Sequence, residues 1–448
     1  MKLKIAYFSP LSPERSGISD FSEELIYELK KYDDIVIFTA RPVKNKTIVN
    51  DFVNYRIKDY ADNKTSENCD IYIYQAGNNL RFHKEIIDTF KSHTGILEIH
   101  DFSMHHYLVA DTYAIKDYKG YIDVMKYCHG IQGENVAKQF ISGKIQAPWD
   151  NPMFNMRFTV NKHLIDLAQA VIVHSDMAKQ MVKAIAPDKN VICIQLHTDE
   201  IVENFEDYKV RSKKKIGVHE ETLLFGSFGY ATIAKRIIPT LVALSKFKEN
   251  NPDIDFRYFI VGEVQIDGIR AIIKKLKLVD HVKITGFVDL EEFKDYMGAC
   301  DICINLRFPT QGESSATLHR MLGRGKPVLV TDIGTFEEYP DDIVFKVGYG
   351  ENEVNDILTI LSRLSLDKKL LHETGIKTIA FAKKYCDLQK NAKRYLEFFD
   401  AVMNDTFMDN ALDKLVDKLI VEGNTADADI KKILSDMSMQ MIDELIEC

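Results

Sequence analysis

Residues 309–330 read PTQGESSATLHRMLGRGKPVLV. Small residues fill a loop, a run with helical periodicity follows, and a Gly-x-Pro step leads into a continuous apolar run. Ser314 or Ser315 is in place to cap the helix. The free amides of Ser314, Ser315, Ala316 and Thr317 would then point at an anion, which the helix dipole favours. Gly325 and Pro327 turn the chain into VLVTD, and DICINLR upstream reads as another buried strand. Buried strands alternating with helices predict a parallel sheet covered on both faces.

The same alternation runs outward in both directions. LKIAYFS, DIVIFTA, DIYIYQA, GILEIHD and AVIVHS read as strands of a first series. LLFGSFG, RYFIVGE, HVKITGF, DICINLR, KPVLVTD and DIVFKVG form a second, with amphipathic runs such as DFSEELIYELKKY between them. A seam near 195–220 divides the two. The expected architecture is α/β, with doubly wound domains at 1–200 and 201–400 facing a cleft and a helical extension at 401–448. Residues 107–165 are strand-poor and read as helices and loops inserted in the first domain. Ligands of such domains sit at the carboxyl ends of the strands.

Composition narrows the class. The chain has 448 residues, 46% apolar and 28% charged, which describes a globular protein with ample core. No run reaches the roughly eighteen apolar residues of a membrane span, and seven scattered cysteines suggest a reducing compartment. The expected location is cytoplasmic, with peripheral attachment at the inner face of the membrane left open. Cys300 and Cys303 have redox or zinc half-site spacing, but they lie in a buried-strand pattern and read as packing. Of the net charge of −9, residues 401–448 carry −7, so the body gives no sign of nucleic-acid binding. RSKKK at 211–215 reads as a solvated helix end rather than an anion patch.

Strand ends carry the candidate chemistry. After the first strand, Gly17 permits close approach of backbone before a helix starting near Asp20, with Ser19 or Asp20 as cap. A phosphate at those amides and an ordinary strand–loop–helix link are equally open. His100 follows the strand GILEI and would point into the cleft, where it can hydrogen-bond a sugar hydroxyl or a phosphate. His105 and His106 read as helix or loop residues. No further ligand cluster accompanies these histidines, so no metal is expected. Gly229 sits at a strand end and Lys235 near the next helix start, where its point charge suits a diphosphate. Glu313 would repel a phosphate but suits neutral hydroxyls. A phosphate beside a polyhydroxylated group describes a nucleotide sugar.

On NLRFPTQGESSATLHRMLGRGKPVLVTDIGTFEEYPD, PERSGISDFSEEL, IHDFSMHHYL, VIVHSDMAKQM and KITGFVDLEEFKDYMGACD, taken in order, the chain resembles the retaining family 4 glycosyltransferases of the GT-B fold. The likeness covers about residues 1–400 and is strongest to bacterial transferases of surface-polysaccharide and cell-wall assembly. It implies transfer of a hexose from a GDP- or UDP-linked sugar to a glycan, glycolipid or protein-linked acceptor. No other cofactor and no metal is implied. By resemblance, His100, Lys235 and Glu313 are catalytic. Gly17, Gly229 and the amides of Ser314 to Thr317 hold phosphates, and Thr285, Gly286 and Phe287 line the base pocket. There are departures. Most of the family has a pair of glutamates flanking this helix; the second, which binds ribose, falls on Arg320, so either ribose recognition differs here or Arg320 contacts a donor phosphate. The usual Arg ahead of Lys235 is missing, with Arg236 or Arg307 as replacement. The rival reading is a non-catalytic GT-B subunit that binds nucleotide or scaffolds a partner.

Beyond about residue 404, FMDNALDKLVDKLIVEG places Leu412, Leu415, Val416 and Leu419 on one helical face, and Ile430, Ile433, Leu434, Met437, Met441 and Leu445 form a second stripe. They predict an acidic helical hairpin that docks on its own body, a second copy or a partner.

Overall fold

The computed structural model of the chain describes residues 2–14, 16–61, 68–147 and 154–404. The expected hairpin lies outside the described residues. Residues up to Leu396 form one compact unit.

Two parallel sheets carry this unit. The first contains β1 (Lys4–Phe8), β2 (Asp34–Thr39), β3 (Val53–Arg56), β4 (Ile71–Ala76), β5 (Ile96–Ile99), β6 (Ala170–Val173) and β7 (Val191–Cys193), in the order β3-β2-β1-β4-β5-β6-β7. The second contains β8 (Leu223–Phe228), β9 (Phe256–Val261), β10 (Val282–Gly286), β11 (Ile302–Asn305), β12 (Val328–Thr331) and β13 (Val344–Val347), in the order β10-β9-β8-β11-β12-β13. In both sheets the chain moves outward from a central strand to one edge and then restarts on the other side. Strand ends beside that reversal leave a crevice for ligands. This is the GT-B arrangement.

The strands form where apolar runs must be covered on both faces. In β1, Ile5, Ala6, Tyr7 and Phe8 are fully buried. Phe8 stacks between Phe38 at 4.6 Å and Tyr74 at 4.4 Å, so neighbouring strands lock in register through aromatic packing. The inserted region holds helices His105–Asp111, Tyr118–Ile141, Phe154–Arg157 and Lys162–Leu167, as its lack of strand patterns predicted.

Local corrections have physical causes. β3 and β7 escape the sequence pattern because VNYR is half-exposed and VIC is three residues long. The first helix spans Gly17–Leu29 and is capped by Ser16, not by Ser19 or Asp20; the Ser16 side chain accepts from the Ile18 amide. In RSKKK, Lys213 is buried rather than solvated, donating to Asp301 at 2.9 Å and to two backbone carbonyls. Cys300 and Cys303 are fully buried in the core. No helix among the described residues is long and apolar enough to cross a membrane.

Candidate active site

Loops after β1, β5, β8, β9, β10 and β11 surround a cavity of about 970 Å³. One wall carries Ser16, Gly17, Asp20, Phe21, His100 and Asp101; the other carries Gly229, Lys235, Phe287, Arg307, Glu313 and the segment Ser314 to Thr317. The helix Ala316–Gly323 begins in this cavity, capped by Ser315, whose Oγ accepts from the Leu318 amide. Its first-turn amides have no acceptor within the helix, so an anion here meets exposed N–H groups.

Gly229 shapes the wall that carries Lys235. Its φ is 86°, and a Cβ on neighbouring Gly262 would stand 2.3 Å from the Gly229 carbonyl oxygen. Only glycines allow β8 and β9 to end this close together. The close approach carries the chain on to Lys235, whose ammonium donates to the Phe228 carbonyl. Burial, and then the nearby Arg307 guanidinium, bring Lys235 down to about 7, against a smaller opposite pull from Glu313. The cavity therefore holds a lysine that an anionic ligand would recharge.

Glu313 is 4% exposed and braces its own loop. Its Oε1 accepts from Arg307 at 2.9 Å, and its Oε2 accepts from the Thr310 hydroxyl at 3.0 Å and from the Gln311 amide. The carboxylate that the sequence assigns to hydroxyl recognition thus fixes the turn before the helix Ala316–Gly323.

His100 stands at the opposite wall. Its Nε2 lies 2.6 Å from Gln75 Oε1, and its ring meets Phe21 edge-on at 5.3 Å. Burial, with His174 and His83 adding to it, holds the ring well below the usual histidine range, so it is neutral. Next in sequence, Asp101 is pushed up to about 6 by burial, partly offset by the Asn78 amide that donates to it.

The remaining expected residues divide. Arg320 lines the cavity, but its guanidinium pairs with Glu24 at 2.6 Å and Asp199 at 2.7 Å. Arg236 is not in the lining; it forms a fork to Glu353 at 2.8 and 2.5 Å. Of the two arginines expected to replace the missing one, only Arg307 lines the cavity. Gly286, with φ 74°, turns the chain so that Phe287 and Val288, rather than Gly286 itself, face the cavity.

Other lining residues carry little or no signal in the sequence. His106 joins the lining rather than remaining a plain helix residue, alongside Asp101 and Gln311. Asn155 lines it too, fully buried, with neither side-chain polar atom partnered among the described residues. It lies among inserted helices, where no strand-end rule points. Glu98 and His174 are hidden as well, because each sits within a strand pattern or at its end. The fold brings donor atoms of Glu98, His100 and His174 within 4.8 Å of one another. Both Glu98 oxygens and His100 Nε2 already have hydrogen-bond partners, so the cluster reads as a polar network rather than a metal cradle.

A family model bears on this geometry. Residues 221–363 match the family Glycosyl transferases group 1. The match spans β8 to β13, including Gly229, Lys235, Arg307 and Glu313. No curated protein matches the chain. Among solved structures, sucrose-phosphate synthase from Thermosynechococcus elongatus is similar with a TM-score of 0.64 at 12% identity, covering 90% of this chain and all of that one. Anabaena HepE in complex with UDP aligns at a TM-score of 0.55 and 14% identity, over 89% of this chain and all of its own. WaaG, a glycosyltransferase involved in lipopolysaccharide biosynthesis, aligns at 0.56 and 12% identity, over 87% of this chain and 98% of its own. These likenesses establish the GT-B fold.

Proposed function

We propose that the chain is a retaining glycosyltransferase that moves a hexose from a nucleoside-diphosphate sugar to a hydroxyl of a glycan, glycolipid or protein-linked acceptor. One observation carries this reading: a single cavity joins a wall with Lys235, Arg307 and free helix amides to an opposite wall on which His100 is a neutral ring. The first suits a diphosphate and the second suits sugar hydroxyls. The family match at 221–363 and the UDP bound to HepE support a nucleotide-sugar donor.

In this mechanism the donor diphosphate lies against Lys235 and the amides of Ser314 to Thr317. Bond cleavage at the anomeric carbon moves negative charge onto the leaving phosphate. Preorganised donors stabilise that charge without reorganising. The acceptor hydroxyl attacks from the face the phosphate leaves, and the departing phosphate takes the hydroxyl proton. Configuration is retained without a covalent enzyme intermediate. Lys235 and Arg307 supply the positive charge, so the reading calls on no metal. His100 and Glu313 face the transferred sugar, and Phe287 faces the base.

The test is a thermal-shift screen of UDP- and GDP-linked sugars, followed by donor hydrolysis assays. A ligand specific to the folded state raises stability with its concentration. Stabilisation together with hydrolysis of the same donor is the expected result. Stabilisation by nucleotides with no hydrolysis or transfer would favour the non-catalytic subunit.

A further inference from the structure

Gln75 and Glu98 are both fully buried, and neither touches the cavity. They sit side by side on β4 and β5, where the register pairs Gln75 with Glu98. Gln75 Nε2 donates to Glu98 Oε2 at 2.6 Å, and Gln75 Oε1 faces His100 Nε2 at 2.6 Å. On its other side, Glu98 Oε1 accepts from the Tyr395 hydroxyl at 2.5 Å and lies 3.4 Å from His174 Nε2. The Gln75 carbonyl is held in turn by His83 Nδ1 at 3.0 Å.

We infer that Glu98 and Gln75 form a positioning relay that fixes the tautomer of His100, leaving its Nδ1 as a hydrogen-bond acceptor for a substrate hydroxyl. The inference rests on the proposal that His100 faces the transferred sugar. A carboxylate can only accept, so the Gln75 amide must turn its NH2 toward Glu98. Its carbonyl oxygen then faces His100, and that oxygen can only accept. His100 Nε2 must therefore carry the proton. In a neutral imidazole the other nitrogen then keeps its lone pair. His100 Nδ1 has no hydrogen-bond partner among the described residues, and His100 lines the cavity.

The relay tolerates a protonated Glu98 when the proton sits on Oε1. Burial pushes Glu98 up to about 7. A proton taken up at Oε1, where Tyr395 and His174 converge, leaves Oε2 to accept from Gln75 as before. His174 is itself oriented, with Nδ1 against the Ile194 carbonyl at 2.8 Å, so its Nε2 offers a lone pair toward Glu98. The chemical consequence is selective. A neutral ring that presents an acceptor takes a hydroxyl as its partner and offers nothing to a phosphate oxygen, which needs a donor. Of the two roles open to His100 from the sequence, the relay selects the hydroxyl.

The test reads the tautomer directly. Full-length protein labelled with ¹⁵N-histidine is examined by multiple-bond ¹H–¹⁵N spectra, with His100→Gln identifying the resonance. The expected signature is a protonated Nε2 and an unprotonated Nδ1. A proton on Nδ1, or on both nitrogens at neutral pH, overturns the relay. Gln75→Met keeps side-chain length but removes both hydrogen bonds. It is expected to mix the two tautomers and to lower kcat for donor hydrolysis roughly tenfold, the effect of losing one oriented hydrogen bond. Affinity for UDP or GDP, which lack the sugar, should change by less than about twofold. An unaltered His100 spectrum in Gln75→Met would also sink the idea. If the wild-type chain hydrolyses no nucleotide sugar, the transferase reading fails while the wild-type spectrum still decides the relay.

Discussion

Arg320 donates to Glu24 at 2.6 Å, joining the helix Ala316–Gly323 to the helix Gly17–Leu29 across the cleft. The same guanidinium meets Asp199, which Arg324 also grips at 3.0 and 2.9 Å. These partners hold the Asp199 carboxyl well below its usual range despite burial. Removing one member of a buried ion pair strands the others. Arg320→Met should therefore destabilise the protein by about 3 kcal/mol, the lower end expected because Arg324 still holds Asp199. Arg320→Glu, which introduces the glutamate that the resemblance puts at this position, should be worse, since it faces Glu24 and Asp199. Urea denaturation of both variants checks the order; an unchanged midpoint for Arg320→Glu would show that the cluster contributes nothing.

Lys235→Ala removes the one ammonium in the cavity lining among the described residues. Turnover should fall by roughly a hundredfold or more, by analogy with losing one preorganised donor. Folding should barely change, because the Lys235 side chain forms no ion pair and its hydrogen bond goes to a backbone carbonyl. A Lys235→Ala enzyme with wild-type turnover and donor affinity would remove Lys235 from the mechanism.

Lys235 also predicts a pH dependence. With its value near 7 in the free protein, it is about half neutral at neutral pH. A bound diphosphate favours the charged form and raises that value. Above about pH 7, binding must therefore draw a proton from solution. Between about pH 7 and 9, affinity for UDP or GDP should fall as pH rises, by up to roughly tenfold per unit. Calorimetry in buffers of different ionisation enthalpy should register proton uptake at pH 8; proton release would contradict the assignment.

Glu313→Gln tests the double duty of that carboxylate. Glutamine has one acceptor oxygen where the loop uses two, and its NH2 would face either Arg307 or the Thr310–Gln311 donors. Stability should drop by about 1–3 kcal/mol, the cost of unpaired buried polar groups. Transfer should suffer more than binding of the bare nucleotide, which lacks the sugar. Thermal denaturation and nucleotide titration, run side by side, separate the two roles.

Much of this site is legible because strand ends announce themselves. VLV and AVIV are continuous apolar runs, and the loop residues past the end of such a run must face the crevice. Lys235, Glu313 and His100 stand out by that rule. Their supports are hidden, because they depend on contacts between residues far apart in sequence. Gln75 and Glu98 read as interruptions of apolar strands, and only the register of β4 against β5 sets them beside each other. Tyr395, on the helix Leu388–Asn404, looks like an ordinary helix residue until it reaches Glu98. Arg320 visibly breaks the family pattern, but its partners are not visible, since Glu24 lies near the start of the chain. Asn155 has no local signal at all.

The chain crosses between the two sheets twice, and the crossings touch. The Thr198 amide donates to the Cys386 carbonyl at 2.8 Å, and Thr198 bridges Asp387 in parallel. Just beyond, Asn391 and Arg394 donate back to the carbonyls of Gln195 and Cys193. Residues 199–386 thus leave and return through one place, as an insertion hung on a single paired stem. Topologically, the second half is a cassette: both chain ends of a graft from another GT-B protein would join at one place, and cleft contacts such as Arg320 to Glu24 would remain to be matched.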